Sequence, residues 1–71
     1  MTDTQALKIK MIEAGLNGKK TAALMEMRPE EYSRKLNNAK RFTPAQIIKL
    51  CHILKITPEE IGPIFFTELT Q

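Results

Sequence analysis

The stretch from Asn17 to Asn38 constrains this chain more than any other. It runs Asn17-Gly-Lys-Lys-Thr-Ala-Ala-Leu-Met25, then Glu26-Met27-Arg28, then Pro29-Glu-Glu-Tyr-Ser-Arg-Lys-Leu-Asn37-Asn38. Asn17 is a strong N-cap residue, and Pro29 suits the first position of a following helix, where its missing N–H is no loss. The pattern predicts two short helices joined by a turn of three residues. Ala22 lies mid-way along the first. Met25 and Met27 bracket the turn. Tyr32 and Leu36, four residues apart, form the inner face of the second. Glu30, Ser33, Arg34 and Asn37 then face outward. Two helices this short bury their apolar sides only by crossing each other and packing on further helices.

Those further helices are legible on both sides. Thr2-Asp3-Thr4-Gln5 offers a start with Thr2 as N-cap, and Leu7, Met11 and Ala14 recur on one face, joined by Ile12. A helix is expected from about residue 4 to Ala14, ended by Gly15, which takes the left-handed conformation cheaply. Leu16 is expected to fold back onto the core. After the connector Ala39-Lys40-Arg41-Phe42, with Phe42 as a core plug, Thr43-Pro44-Ala45-Gln46 forms a capping box with proline at the first helical position. Ile47, Leu50, Cys51 and Leu54 give the i, i+3, i+4, i+7 spacing of a buried face, flanked by Ile48 and Ile53. Thr57-Pro58-Glu59-Glu60 repeats the capping box and opens a fifth helix, which Gly62-Pro63 is expected to break or kink. The apolar cluster Ile64-Phe65-Phe66 sits in the tail 62–71. It has two readings: a cover for the bottom of the core, or a dimer or partner surface. The whole reads as one all-α domain of five short helices, with no internal repeat.

Length bounds the function. A chain of 71 residues holds one small core, stabilised by about 3–5 kcal/mol, and no large enclosed active site. The one cysteine, Cys51, cannot close an internal disulfide, which points to a reducing cytosol. It reads as a small apolar residue of the fourth helix. The polar, acidic Met-Thr-Asp-Thr-Gln start does not resemble a signal peptide, and no apolar run is long enough for a membrane span. His52 is the only histidine, with no second ligand at metal spacing. The pairs Glu30-Glu31 and Glu59-Glu60 are explained by helix-start chemistry, because carboxylates are favoured beside the N-terminal end of the helix dipole. The inventory leads to no enzyme, cofactor or metal expectation.

Charge is unevenly placed. Between Lys19 and Arg41 seven bases stand against three acids, while the remainder holds four bases and five acids. A basic middle on a near-neutral body suits nucleic acid, and the bland alternative is a solvated helical surface. Lys19 and Lys20 lie in the first turn of their helix, where the dipole disfavours positive charge by about 0.3–1 kcal/mol. Bases set against a dipole, next to the free amides of Gly18 and Lys19, form a place for an external phosphate. Otherwise they are two exposed lysines without a partner.

Over Lys8 to Ile61, about three quarters of the chain, the sequence resembles the lambda-repressor and Cro type of helix-turn-helix domain, common in temperate-phage regulators. The carriers are Glu13-Ala-Gly-Leu16, Ala22, Met25, Met27, Tyr32, Ser33-Arg34, Lys40-Arg41, Thr43-Pro44, Leu54-Lys-Ile56 and Thr57-Pro-Glu-Glu-Ile61. The resemblance implies a compact five-helix DNA-binding fold in the bacterial cytoplasm, acting in a lysis/lysogeny switch. Helix 29–36 would enter the major groove of double-stranded DNA, with Arg28, Glu30, Ser33 and Arg34 on bases. Gly18, Lys19, Lys20, Asn37, Lys40 and Arg41 would meet phosphates, and a homodimer is one expected form. Small proteins at the Cro position in some phages of Gram-positive hosts are instead antirepressors, which bind a repressor and block its operator contact. Three positions depart from the family pattern. Gly18 stands where a phosphate-reaching Gln is usual, Glu26 where the turn usually has Gly, and Pro29-Glu30-Glu31 where small polar or amide residues usually read bases. The acidic tip keeps the second partner class open: Glu30 and Glu31 would pair with the basic surface of a repressor protein.

Overall fold

The computed structural model describes residues 1–69, and every element in them is helical. The order is α1 (Thr4–Glu13), α2 (Gly18–Leu24), α3 (Pro29–Leu36), α4 (Pro44–Leu54) and α5 (Pro58–Phe65), then a single 3₁₀ turn (Thr67–Leu69). No helix among the described residues is long and apolar enough to cross a membrane.

Local capping chemistry sets most of the helix starts. Asn17 accepts from the Lys20 amide at 2.8 Å and opens α2. At α4 the Thr43 hydroxyl accepts from the Gln46 amide at 3.2 Å, and the Gln46 side chain accepts from the Thr43 amide at 3.0 Å. Proline occupies the first turn of α3, α4 and α5. At α1 the cap is Asp3, not Thr2: Asp3 Oδ1 accepts from the Ala6 amide at 3.1 Å. Thr2 is engaged elsewhere. Its amide donates to Asn38 Oδ1 and its carbonyl accepts from Asn38 Nδ2, both at 2.9 Å.

Three non-glycine residues and one glycine adopt positive φ. Gly15 (φ 71°) ends α1 as its sequence position implies. Glu26 (φ 58°) makes the turn between α2 and α3 in the conformation that a glycine would take without strain, and its carboxylate lies 3.4 Å from Lys49 Nζ of α4. Asn38 (φ 65°) belongs to a residue type that tolerates this region, and Lys55 (φ 54°) terminates α4.

One core joins the five helices. Leu7 and Met11 of α1 meet Ala22 and Met25, Tyr32 and Leu36 of α3, Phe42, then Ile47, Leu50 and Leu54 of α4, Ile56, and Ile64 and Phe65 of α5. Its centre is an aromatic row. Phe42 stands 6.0 Å from Tyr32 and 5.9 Å from Phe65, centroid to centroid, the second pair edge-to-face. The Tyr32 hydroxyl donates to Met11 Sδ at 3.2 Å, and burial pushes its pKa up to about 12.

This packing corrects some expectations and decides between others. Of the break or kink expected at Gly62-Pro63, the break does not occur: α5 continues to Phe65. Proline removes one backbone donor, and the burial of Ile64 and Phe65 holds the turn beyond it. Of the two readings of the apolar cluster, the packing favours the core cover: Ile64 and Phe65 are buried, and Phe66 is half-buried against them. The boundary of the tail moves to Phe66 accordingly, and its last two residues lie outside the described ones. Ile12 and Ile48, expected on or beside buried faces, are 74% and 61% exposed. Cys51 is only half-buried.

The α1–α5 contact carries a charge hub. The Glu60 carboxylate meets Lys10 Nζ at 2.7 Å and accepts from the Thr57 amide and hydroxyl, each at 3.0 Å. The Lys10 bond first, then the two Thr57 bonds, hold its pKa at about 2, against 4.5 for a free carboxyl. The folded state thus binds this proton less readily than the unfolded chain. Its stabilising effect is complete above about pH 4.5 and is lost as pH falls towards 2. Thermal melts across that window are expected to show a falling Tm, and Glu60→Gln to flatten the decline while lowering Tm at neutral pH. An unchanged acid limb in that variant would contradict the assignment.

Candidate nucleic-acid interface

The phase of α3 is set by what it buries. Tyr32 and Leu36 point into the core, so Glu30, Glu31, Ser33, Arg34 and Asn37 are left on the exposed side. Arg28 precedes the helix in extended backbone (φ −67°, ψ 145°) and makes no capping bond with its side chain. Arg28, Glu30, Glu31, Arg34 and Lys40 line one shallow concavity. The turn through Glu26 and the packing of α2 on α3 fix where that concavity lies on the scaffold.

The first turn of α2 exposes Lys19 and Lys20. Asn17 occupies the Lys20 amide. Gly18 sits at the first helical position in ordinary helical backbone, and a Cβ built there meets nothing within 4 Å. The departure from a longer side chain is therefore not forced by crowding.

Ion pairing separates the bases into two groups. Lys10 pairs with Glu60, Lys35 approaches Glu31 at 4.0 Å, Arg41 approaches Glu68 at 3.6 Å and Lys49 pairs with Glu26. Among the described residues, Lys19, Lys20, Arg28, Arg34 and Lys40 have no carboxylate within 4 Å, as is also true of Lys8 and Lys55. Most of the uncompensated positive charge thus belongs to α2, α3 and the connector after α3. Glu30 is likewise without a basic partner there.

Two bases of this region are engaged within the fold. Lys35 is 6% exposed, and its Nζ donates to Gln46 Oε1 at 2.6 Å. Its stem is covered by the start of α4, and Gln46 satisfies the buried ammonium. Arg41 is exposed but lies beside the chain ends, facing Glu68 and lining a hollow with Met1, Thr2, Asn38 and Phe66. Ser33 and Asn37 are on the outer face as expected but bond each other: Asn37 Nδ2 donates to the Ser33 carbonyl at 2.9 Å and to its hydroxyl at 3.4 Å.

No set of three His, Cys, Asp or Glu side chains able to hold a metal ion occurs among the described residues. The chemistry available at this face is charge and hydrogen bonding, supplied by guanidinium and ammonium groups and by the carboxylates of Glu30 and Glu31. No protein-family model matches the chain, and no curated protein matches it significantly.

Proposed function

We propose that the chain is a small helix-turn-helix transcriptional regulator of the lambda-repressor and Cro kind, acting in a phage-type lysis/lysogeny switch by binding operator DNA. The observation that carries this reading is the unpaired positive charge of Lys19, Lys20, Arg28, Arg34 and Lys40 around an exposed α3 whose inner face is anchored in the core. A helix held this way enters the major groove, about 12 Å wide, with side chains already oriented. Lysines on α2 and the connector supply phosphate contacts that set the register.

One observation favours a second reading. Glu30 is exposed and unpaired at the tip of α3, with Glu31 beside it. A carboxylate near phosphates is repelled, by about 1 kcal/mol for a charge about 4 Å away in bulk-water dielectric and by more where the dielectric is lower. The same tip is complementary to the basic surface of a repressor's DNA-binding domain, which makes an antirepressor the alternative.

A gel shift of the purified chain on its neighbouring intergenic DNA, with and without the adjacent repressor, separates the two. Retardation of DNA by the chain alone supports the regulator. Release of repressor from DNA, without direct retardation, supports the antirepressor. Charge reversal by Glu30→Lys with Glu31→Lys is expected to strengthen non-specific DNA binding under the first reading and to abolish the repressor complex under the second.

A further inference from the structure

The groups left unengaged on α3 restrict what it can read, taking the DNA-binding reading as the premise. Adenine is recognised in the major groove by an amide side chain that donates to N7 and accepts from the N6 amino group. The chain has four amides between Asn17 and Gln46, and each makes at least one hydrogen bond within the fold. Asn17 caps α2, Asn37 Nδ2 donates to Ser33, Asn38 is paired at both ends with Thr2, and Gln46 accepts from Lys35 and Thr43. Ser33 shares its hydroxyl with Asn37, and Glu31 faces Lys35. Arg28, Arg34 and Glu30 remain, all lining the same concavity.

Those three match the edges of one base pair. A guanidinium donates two hydrogen bonds to guanine O6 and N7, and a carboxylate accepts from the cytosine N4 amino group. A carboxylate has no proton to offer, so it opposes thymine O4 and both guanine acceptors. We infer that the α3 face selects G·C pairs, with Arg28 and Arg34 reading guanine and Glu30 acting as the residue that specifies cytosine. Glu30 and Arg34 stand four residues apart, about 6 Å along the helix at 1.5 Å per residue. With the helix following the groove, that spans about two base steps of 3.4 Å. The carboxylate at the tip thereby gains a hydrogen-bonding role on DNA that its charge alone would not give it.

Selection from a pool of random duplexes with the full chain at low salt tests this. Enrichment of G·C pairs about two steps apart is expected. In the selected site, 7-deazaguanine, which lacks the N7 acceptor, is expected to weaken binding about tenfold, whereas inosine, unchanged in the major groove, leaves it intact. Glu30→Gln, at an exposed position checked for folding by circular dichroism, is expected to reduce discrimination of cytosine against thymine at one pair by about tenfold. Selection of A·T-rich sites, or an unaltered preference in Glu30→Gln, would overturn the inference while the DNA-binding reading stands. Failure to retard any duplex at low salt would overturn the DNA-binding reading itself, and this inference with it.

Discussion

Phe42→Ala leaves the domain largely unfolded at 37 °C. Phe42 is 7% exposed and is the middle member of the aromatic row, touching Tyr32 of α3 and Phe65 of α5. Truncating a buried phenylalanine destabilises by about 3–5 kcal/mol, because transfer energy is lost and a cavity remains. A single-core domain of this size has only about 3–5 kcal/mol in total. The ring also lies in the connector between α3 and α4, so its loss uncouples the helix pair α2–α3 from the helices that support it. Far-UV circular dichroism during a thermal melt is the measurement. Phe66→Ala, at a half-buried position, is expected to lower Tm without abolishing the transition. If both variants melted like the parent, the aromatic row would not be the centre of the core.

Where the fold was legible in the sequence, local chemistry was decisive. Asn17, Thr43 and Thr57 cap the helices they precede, and the proline after Arg28 opens α3 at the residue expected. Tyr32 and Leu36 gave the phase of α3, and with it the outward positions of Glu30, Ser33, Arg34 and Asn37. What the sequence left open depended on partners far along the chain. Thr2 and Asp3 are both good caps, and the choice falls to Asp3 because Thr2 is bound by Asn38, 36 residues away. Nothing near Lys35 announces that Gln46 will bury its ammonium. Ile12 follows Met11 directly and so lies about 100° round the helix from it, a phase that a tally of apolar residues does not resolve.

The same contrast holds at the candidate interface. Residue types and helical phase identified the exposed bases, but not which of them the fold neutralises. Arg41 faces Glu68, 27 positions on, and that acid is visible only once the chain ends are brought together. Glu26 illustrates the reverse case. Standing where the family pattern has Gly, it either takes strained backbone or shifts the turn; it takes the left-handed conformation, and Lys49 gives its carboxylate an electrostatic partner. Such an exposed pair contributes little by itself, about 0–1 kcal/mol, which at most partly offsets the backbone strain of about 1–3 kcal/mol.

DNA affinity is expected to fall steeply with salt, and Lys19 and Lys20 to account for most of that fall. Each neutralised phosphate contributes about −0.9 to the slope of log K against log salt. With Lys19, Lys20 and Lys40 on phosphates, each bound chain gives a slope of about −2.7, which corresponds to about 40-fold weaker binding between 50 and 200 mM salt. Replacing both Lys19 and Lys20 by alanine is expected to bring the slope to about −0.9 and to weaken binding uniformly across sequences. The stability change has the opposite sign. Both lysines oppose the dipole of α2 from its first turn, so their removal relieves about 0.3–1 kcal/mol each and raises Tm. A fluorescence-anisotropy salt titration and a thermal melt on the same variant read both quantities. Lower affinity together with higher stability is the signature of charge kept for a ligand at the expense of the helix that bears it. A variant that gained stability but kept its salt slope would show that these lysines do not meet DNA, and would move the phosphate contacts away from the α2 end.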